Sequence, residues 1–372
     1  MKFEINFKKL KDAIGLVERI TGKHMTLPVL SCVLIEVDDN VATFKATNLD
    51  IGVEVSVPIK TTTKGAVAVP GQILSSFISQ IQEDSQVVKV EVVSGNLHIQ
   101  ANKSKVVMKT LPIEDFPSIP RVGDAKNEVQ EIALPSNIFI KGLKSVWYSA
   151  SVSSVKPELS SVYIYKEGDS IVFAATDSFR LAEKRVKAPL AMKINEILLP
   201  FKNIADVTRI LESMGEMLKV KMGKNLVSFE ANGIYIVSRI IDGTFPDYKQ
   251  IIPKGYVTEA ITLKQDLLNA LKISNIFSDK FNQVHMTIDP KGKIFDVQTK
   301  NSDVGENKTN IDAALTGDKM EINFNYKYII DCFQSIDADS VSLQLSGINK
   351  PMVIRPISGD QTFLYLVMPM NR

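Results

Sequence analysis

Two cysteines, three histidines and one tryptophan in 372 residues leave little material for several common functional centres. Cys32 and Cys332 are far apart and each sits beside apolar neighbours, so neither a disulfide framework nor a four-ligand zinc site can be built from them. Both are expected as buried, reduced thiols. His24, His98 and His285 do not cluster, and His98 and His285 fall inside strand patterns, where structural or surface roles are expected. The phosphate loop GxxxxGK[ST], the dinucleotide signature GxGxxG, HExxH and CxxC are all absent. Apolar runs such as Ile197–Leu199 are only a few residues, against the roughly 20 that a bilayer span requires. The opening MKFEINFKKLKD lacks an apolar core and cleavage site, so no secretory signal is expected and the chain is expected to stay in the cytoplasm. The N-x-S/T triplets at Asn102 and Asn307 are then chance. Glu114-Asp115 lies in a proline-bounded linker, where solvation is expected rather than acid–base work. No catalysis, metal or cofactor is expected.

What the sequence does contain is ordinary for a globular chain, with 45% apolar and 23% charged residues. Its length exceeds what one hydrophobic core usually supports, so two or three domains are expected. An internal repeat decides the number. Hairpin turns fall around Asp39, Gly168 and Lys291; Thr47, Thr176 and Thr299 follow them; further turns begin at Ser94, Gly223 and Ser346; and Pro117, Pro246 and Pro369 close the series. Each of these four sets is spaced by 129 and then 123 residues. The first helix of each repeat, near Leu10, Phe139 and Leu268, is spaced by 129 both times. Three domains follow, at 1–122, 123–253 and 254–372.

Each repeat has the same grammar: a strand, an apolar-periodic helix, then alternating strands broken by glycine or asparagine turns. Phe3, Ile5 and Phe7 alternate as a strand, and Leu10, Ala13, Ile14 and Val17 recur at helical spacing. A second helix follows Val69-Pro70, Leu199-Pro200 and Phe324-Asn325, with proline where a first turn tolerates it. Val88, Val90 and Val92 share one strand face ahead of a Ser94-Gly95-Asn96 turn. The fold class is α+β, with six helices packed on antiparallel sheets.

The net charge is only +2, yet the six helical segments sum to +5 and the remainder to −3. On a single helix such an excess reads as a solvated face. Repeated six times on a common surface, it would accumulate along a phosphate backbone. With no base-reading signature, that contact would be sequence-independent.

The opening MKF, TLPVL at Thr26–Leu30, TLPIEDFP at Thr110–Pro117, ATDSFRLA at Ala175–Ala182, DGTFPDY at Asp242–Tyr248 and the terminal VMPM resemble, in order and over the whole chain, the bacterial DNA polymerase III beta subunits, the replicative sliding clamps. The resemblance implies three tandem clamp domains per chain and two chains joined head to tail as a closed ring around double-stranded DNA. It also implies partners: the polymerase III catalytic subunit, an ATP-driven clamp loader and other proteins carrying a clamp-binding motif. Closure would pair edge strands otherwise open to aggregation.

Site roles carried over by the resemblance are as follows. A partner-peptide cleft between the second and third domains takes Leu159, Thr176, Phe179, Arg180, Leu181, Pro246, Gln250, Ile251, Asn325, Tyr328, Leu366 and Met368, a mostly apolar set with a few hydrogen-bonding groups. Phe179 and Gln250 depart from the histidine and arginine of well-known members, which alters the peptide preference. DNA contacts fall to Lys23, His24, Lys141, Lys144 and Lys202; Phe201, where a basic residue is frequent, weakens the grip of that helix. At the ring joint, Val106 and Met108 face Ile276 and Phe277, and Lys103 and Lys105 pair with Asp303 and Glu306. Two rival readings are a DNA-binding module that does not encircle, which would need a stronger basic face, and a peptide-binding scaffold, which would have no use for Lys141 and Lys144.

Overall fold

The computed structural model describes residues 1–22, 27–81, 86–123, 129–189 and 194–370. Among the described residues the α-helices are α1 (Phe7–Val17), α2 (Gly71–Gln80), α3 (Ser136–Val146), α4 (Phe201–Ser213), α5 (Lys264–Ile276) and α6 (Tyr326–Cys332). They lie where the repeat places them. Helix α1 starts because the Asn6 side chain accepts the Lys9 N–H at 3.2 Å, satisfying one orphan donor of the first turn. Phe7 therefore opens the helix rather than ending the strand. It joins Leu10, Ile14 and Val17 on the buried stripe, so its place fitted both periodicities. Asn325 caps α6 in the same way, accepting from the Lys327 N–H at 3.0 Å.

The helices bury one face each. Leu10, Ala13, Ile14 and Val17 in α1 correspond to Phe139, Gly142, Leu143 and Val146 in α3 and to Leu267, Ala270, Leu271 and Ser274 in α5. The third anchor is thus Leu267, not Leu268, which is half-buried. Gly142 lets the Phe173 ring approach: a Cβ there would lie 2.3 Å from the ring, which packs edge-on against Phe139 at 5.7 Å. Each such buried aromatic is worth about 1.5–3 kcal/mol of transfer free energy.

Among the described residues all the strand pairings are antiparallel, and the chain folds as two units. The first comprises residues 1–137 and 202–240. It holds a five-stranded sheet in the order Lys60–Thr63, Lys2–Asn6, Val87–Val93, Asn96–Ala101, Ser104–Met108, and an eight-stranded sheet in the order Gln130–Pro135, Met217–Met222, Leu226–Ala231, Ile234–Arg239, Ile51–Pro58, Val41–Thr47, Cys32–Asp38, Gly65–Pro70. The second comprises residues 138–201 and 241–372. Its nine-stranded sheet runs Ile197–Pro200, Ser161–Glu167, Ser170–Thr176, Arg180–Lys187, Phe363–Val367, Met352–Pro356, Ser340–Leu345, Thr258–Leu263, Ala313–Gly317, and its four-stranded sheet runs Gly305–Asn310, Ile294–Asn301, Gln283–Asp289, Met320–Asn325.

Each unit contains one junction between repeats, and there the sheet continues without a break. Ile51–Pro58 of the first repeat pairs with Ile234–Arg239 of the second, and Arg180–Lys187 of the second pairs with Phe363–Val367 of the third. Strand pairing also corrects one anchor. Ile164 faces Phe173 as Met286 faces Val297, so the partner of Ala175 in the third repeat is Thr299, and Thr176 corresponds to Lys300. A one-residue slip moves a side chain to the other face of a sheet. Cys32 and Cys332 are free and buried, as expected, and among the described residues no helix is long and apolar enough to cross a membrane.

Candidate functional site

The tight turn between Ser170–Thr176 and Arg180–Lys187 organises the candidate cleft in the second unit. Thr176 Oγ1 donates to the Arg180 carbonyl at 2.6 Å and accepts from the Ser178 N–H at 3.1 Å. Asp177 Oδ1 accepts from the N–H groups of Phe179 (2.9 Å) and Arg180 (3.0 Å), while Ser178 sits in the left-handed region at φ 78°. This bonding leaves Phe179 projecting, 61% exposed, an unusual position for a large apolar ring. The Met368 N–H donates to the Phe179 carbonyl at 2.8 Å, which holds the chain end against the turn.

Arg180 is held on three sides. Its Nε donates to Asp177 at 2.9 Å, NH1 donates to Asp331 at 2.5 Å, and the guanidinium lies 4.5 Å from the Tyr328 ring centroid. Burial raises the Tyr328 phenol above its ordinary value, so the ring is neutral. Tyr328 in turn is fixed through its carbonyl, which accepts from the Tyr365 hydroxyl at 2.7 Å.

Leu181 and Leu366 stand opposite each other across the junction and are fully buried. They are floor rather than wall. Their cluster includes Tyr165, Leu198, Phe245 and Tyr248, with Met368 packed on it and half-buried. Tyr163 stacks on Tyr165 (4.7 Å) and on Phe245 (4.9 Å), and the Tyr165 and Tyr248 hydroxyls meet at 2.9 Å. The Tyr248 hydroxyl donates to the buried Glu183 carboxylate, which also accepts from Arg185 Nε at 2.8 Å. Burial, with the Glu183 charge beside it, pushes the Tyr248 phenol far above its ordinary value. This anchor presents the loop on either side of Tyr248: Pro246, Gln250 and Ile251 are exposed, and Gln250 donates to Asp247 at 2.8 Å. Leu159 is buried, and Asn325 is spent on capping α6.

Turn, cation and floor are thus brought together, with Leu181, Leu366 and Leu159 beneath the surface rather than on it. The tyrosine shelf and Asp331 were not singled out from sequence. Phe245 and Tyr248 lay within DGTFPDY and could have been; Asp331 carried no signal, because nothing local marks it as a partner for a residue 151 positions away.

The expected DNA-contact residues have a different fate. Lys23 and His24 lie outside the described residues. Lys141 donates to Asp360, which also accepts from the buried Lys184 at 2.6 Å, and Lys202 donates to Asp50 at 2.6 Å. Lys144 is exposed. Burial alone would raise the Asp360 carboxyl, but hydrogen bonds from Lys141, Lys184 and Thr362 hold it well below the usual carboxylate range. Two of the expected cations are therefore matched within their own unit, which the helix charge sums could not reveal.

In the edge strand Ser104–Met108 Val107 (57%) is exposed, as are Val304 (59%), just before the edge strand Gly305–Asn310, and Ile276 (65%), while Phe277 is half-buried beside Gly305. Lys103, Lys105, Asp303 and Glu306 are exposed. Met108 departs from expectation: it is 4% exposed, because its own repeat already covers it. Val106, half-buried on the same face, is the residue with area left to offer.

Models of three DNA polymerase III beta subunit domains match the chain in order: the N-terminal domain over residues 1–120, the central domain over 133–247 and the C-terminal domain over 249–371. The beta sliding clamp of Synechocystis sp. is 26% identical over 395 residues, covering 100% of this chain and 99% of the relative. That of Bacillus subtilis is 24% identical over 382 residues, covering all of both. Among solved structures, the DNA polymerase III beta subunit of Thermotoga maritima superposes with a TM-score of 0.92 at 23% identity, covering 100% of this chain and 99% of that one. The DNA polymerase III subunit beta of Pseudomonas aeruginosa gives the same TM-score and identity over the full length of both. These structures share the fold, three tandem clamp domains.

Proposed function

The chain belongs to the DNA polymerase III beta subunit family, and from that premise we propose that it is a DNA sliding clamp: two copies close head to tail around duplex DNA and tether the replicative polymerase. The observation that carries the reading is the repeated junction. Val53 pairs with Ile236 and Ala182 with Tyr365, the same joint made twice. A third copy of that joint has both halves present and no partner. The strand Gly305–Asn310 corresponds to Ile51–Pro58 and Arg180–Lys187, and Ser104–Met108 corresponds to Ile234–Arg239 and Phe363–Val367, each at the edge of its sheet. One protomer's 305–310 edge can therefore receive its partner's 104–108 edge, and two copies satisfy both.

The register follows. Ala182 is the residue opposite Ala175, and Asn307 the one opposite Thr299. Tyr365 faces Ile354 as Val106 faces Ile99. Val106 then stands opposite Asn307 of the other copy, Val107 opposite Glu306, and Met108 opposite Gly305 beside Phe277. Lys105 lies diagonal to Glu306, whereas Lys103 falls opposite Asn310, out of reach of Asp303. Exposed ion pairs contribute only about 0–1 kcal/mol, so strand pairing and the apolar contact of Val106 with Ile276 and Phe277 hold the joint.

The domain boundaries of this reading are at Val122 and Pro253. A closed ring stays on DNA by topology, so weak phosphate contact by Lys144 and the partly neutralised Lys141 and Lys202 is enough and permits sliding. The clamp performs no chemistry; a loader consuming ATP would open it, in the cytoplasm. Partners dock by a short segment whose apolar side chains lie between Phe179, Ile251 and Met368 while Arg180 and Gln250 offer hydrogen bonds.

The test is retention on nicked circular against linear DNA of equal length, loaded by a clamp loader with ATP and washed in high salt. Retention on circles alone is expected, because salt weakens contacts but does not unlink a ring. Equal loss from both, with loader activity confirmed on another clamp, would overturn the reading.

A further inference from the structure

The junction inside the first unit repeats the cleft residue for residue. Thr47 Oγ1 donates to the Ile51 carbonyl at 2.8 Å and accepts from the Leu49 N–H at 3.1 Å, as Thr176 does with Arg180 and Ser178. Asn48 Oδ1 accepts from the next two available N–H groups, those of Asp50 and Ile51, as Asp177 does for Phe179 and Arg180. Leu49 adopts φ 74° where Ser178 adopts 78°. Val237 faces Gly52 as Leu366 faces Leu181. At the centre of this counterpart is a cavity of about 240 Å³, walled by Thr47, Ile51, Pro117, Leu226, Val237 and Arg239.

We propose that this cavity is a second peptide-docking site, which takes an extended segment presenting one aliphatic side chain beside a carboxylate. The idea rests on the reading of the first cleft as a peptide site. Three substitutions between the counterparts set its specificity. Gly52 stands where Leu181 stands, and the Ile119 side chain moves in to 2.7 Å from where a Cβ would be, so Ile119 closes the floor and leaves room for a single aliphatic group. Asp50 replaces the projecting Phe179, and its charge is matched by Lys202 at 2.6 Å. Arg239 replaces Met368. Its Nε donates to the Leu49 carbonyl at 2.8 Å, which fixes the guanidinium at the cavity wall, and no carboxylate among the described residues forms an ion pair with it. With Asp50, also on the wall, matched by Lys202, the open charge of the wall is the preorganised guanidinium, and a guanidinium fork suits a carboxylate.

The experiment titrates methyl-labelled protein with Ac-Ala-Asp-Leu-Ala-NH2 and, separately, Ac-Ala-Lys-Leu-Ala-NH2, reading methyl resonances. The Asp peptide is expected to shift Ile51, Leu226 and Val237, with the Lys peptide at least about tenfold weaker, as loss of a charged hydrogen bond implies. Arg239→Gln should weaken the Asp peptide about tenfold at those methyls and leave Leu366 and Met368 unaffected. Lys202→Ala, which leaves Asp50 unmatched beside the site, should weaken it too, giving a second variant if the first fails to fold. Shifts at Leu366 and Met368 alone would overturn the second site while the first cleft stands. Shifts at Val237 alone would uphold the second site and count against the first. No shift at either, or equal response to both peptides, would overturn the proposal.

Discussion

The guanidinium of Arg180 sits 4.5 Å from the centroid of the Tyr328 ring while its NH1 donates to Asp331 at 2.5 Å. A cation clamped between a π face and two carboxylates cannot swing away when a ligand arrives, so whatever part of it a partner peptide meets is already in place. Arg180→Ala should weaken binding of an acetylated pentapeptide ending in leucine and phenylalanine about tenfold, measured by calorimetry. Arg180→Lys should recover little, because an ammonium neither forks onto two carboxylates nor stacks as a plane. Undiminished affinity in both variants would remove Arg180 from the peptide site.

What could be read from the sequence was what neighbours along the chain decide. Six helices, the hairpin turns and the shared face of Val88 and Val90 follow from local periodicity and turn chemistry, and all are present. Errors of one residue arose where two periodicities overlapped or a loop changed length. Phe7 satisfies both strand and helix patterns, Leu268 stands next to the buried Leu267, and Thr299 took the place of Lys300 because the third hairpin turn is longer. Pairing partners were the illegible part. Asp50 lies 152 positions from Lys202 and Asp360 lies 219 from Lys141; only the folded sheets bring them together. For the same reason Met108 looked like interface from its edge strand, when its own repeat had already buried it.

The Lys202–Asp50 pair bears on DNA. A lysine already neutralised releases few counterions on meeting phosphate, so Lys202→Ala should flatten the salt dependence of DNA binding by much less than the ~0.9 expected per free cation. Asp50→Asn is the sharper variant: it frees Lys202 and should steepen the slope toward that value. Fluorescence anisotropy of a duplex across a salt series gives both slopes, and an unchanged slope for Asp50→Asn would exclude Lys202 from the DNA contact.

Asp360 gives a pH signature. Its folded-state carboxyl titrates below its unfolded value of about 3.9, so the stability it contributes is present above that value and is lost as pH falls through the folded-state titration. Asp360→Asn leaves the buried Lys184 with a neutral partner and should cost roughly 1–3 kcal/mol near neutral pH. The difference in urea midpoint between the two proteins should hold constant from pH 7 to about 5 and shrink as the pH drops below about 4. A gap that stays constant into strong acid would mean that Asp360 is not held ionised by its lysines.

The proposed ring joint can be tested at the level of single pairs. Counting along the chain, Leu181 plus the 123-residue repeat spacing reaches Val304, so the count alone would set Val107 against Val304. Strand pairing sets it against Glu306, because the third repeat's hairpin between Thr299 and Asn307 is longer than its counterpart between Ala175 and Ala182. The two registers differ by two residues, about 7 Å along a strand. Directly opposed Cα atoms in an antiparallel pair lie ~4.5–5.5 Å apart, within the reach of a disulfide, and a slip of that size is not. Cys32 and Cys332 are buried and give little background. The variant carrying Val107→Cys and Glu306→Cys should therefore oxidise to a covalent dimer on a non-reducing gel, whereas Val107→Cys with Val304→Cys should not. The reverse result would assign the register by chain count. Failure of both pairs in a protein that still sediments as a dimer would move the joint away from these edges altogether.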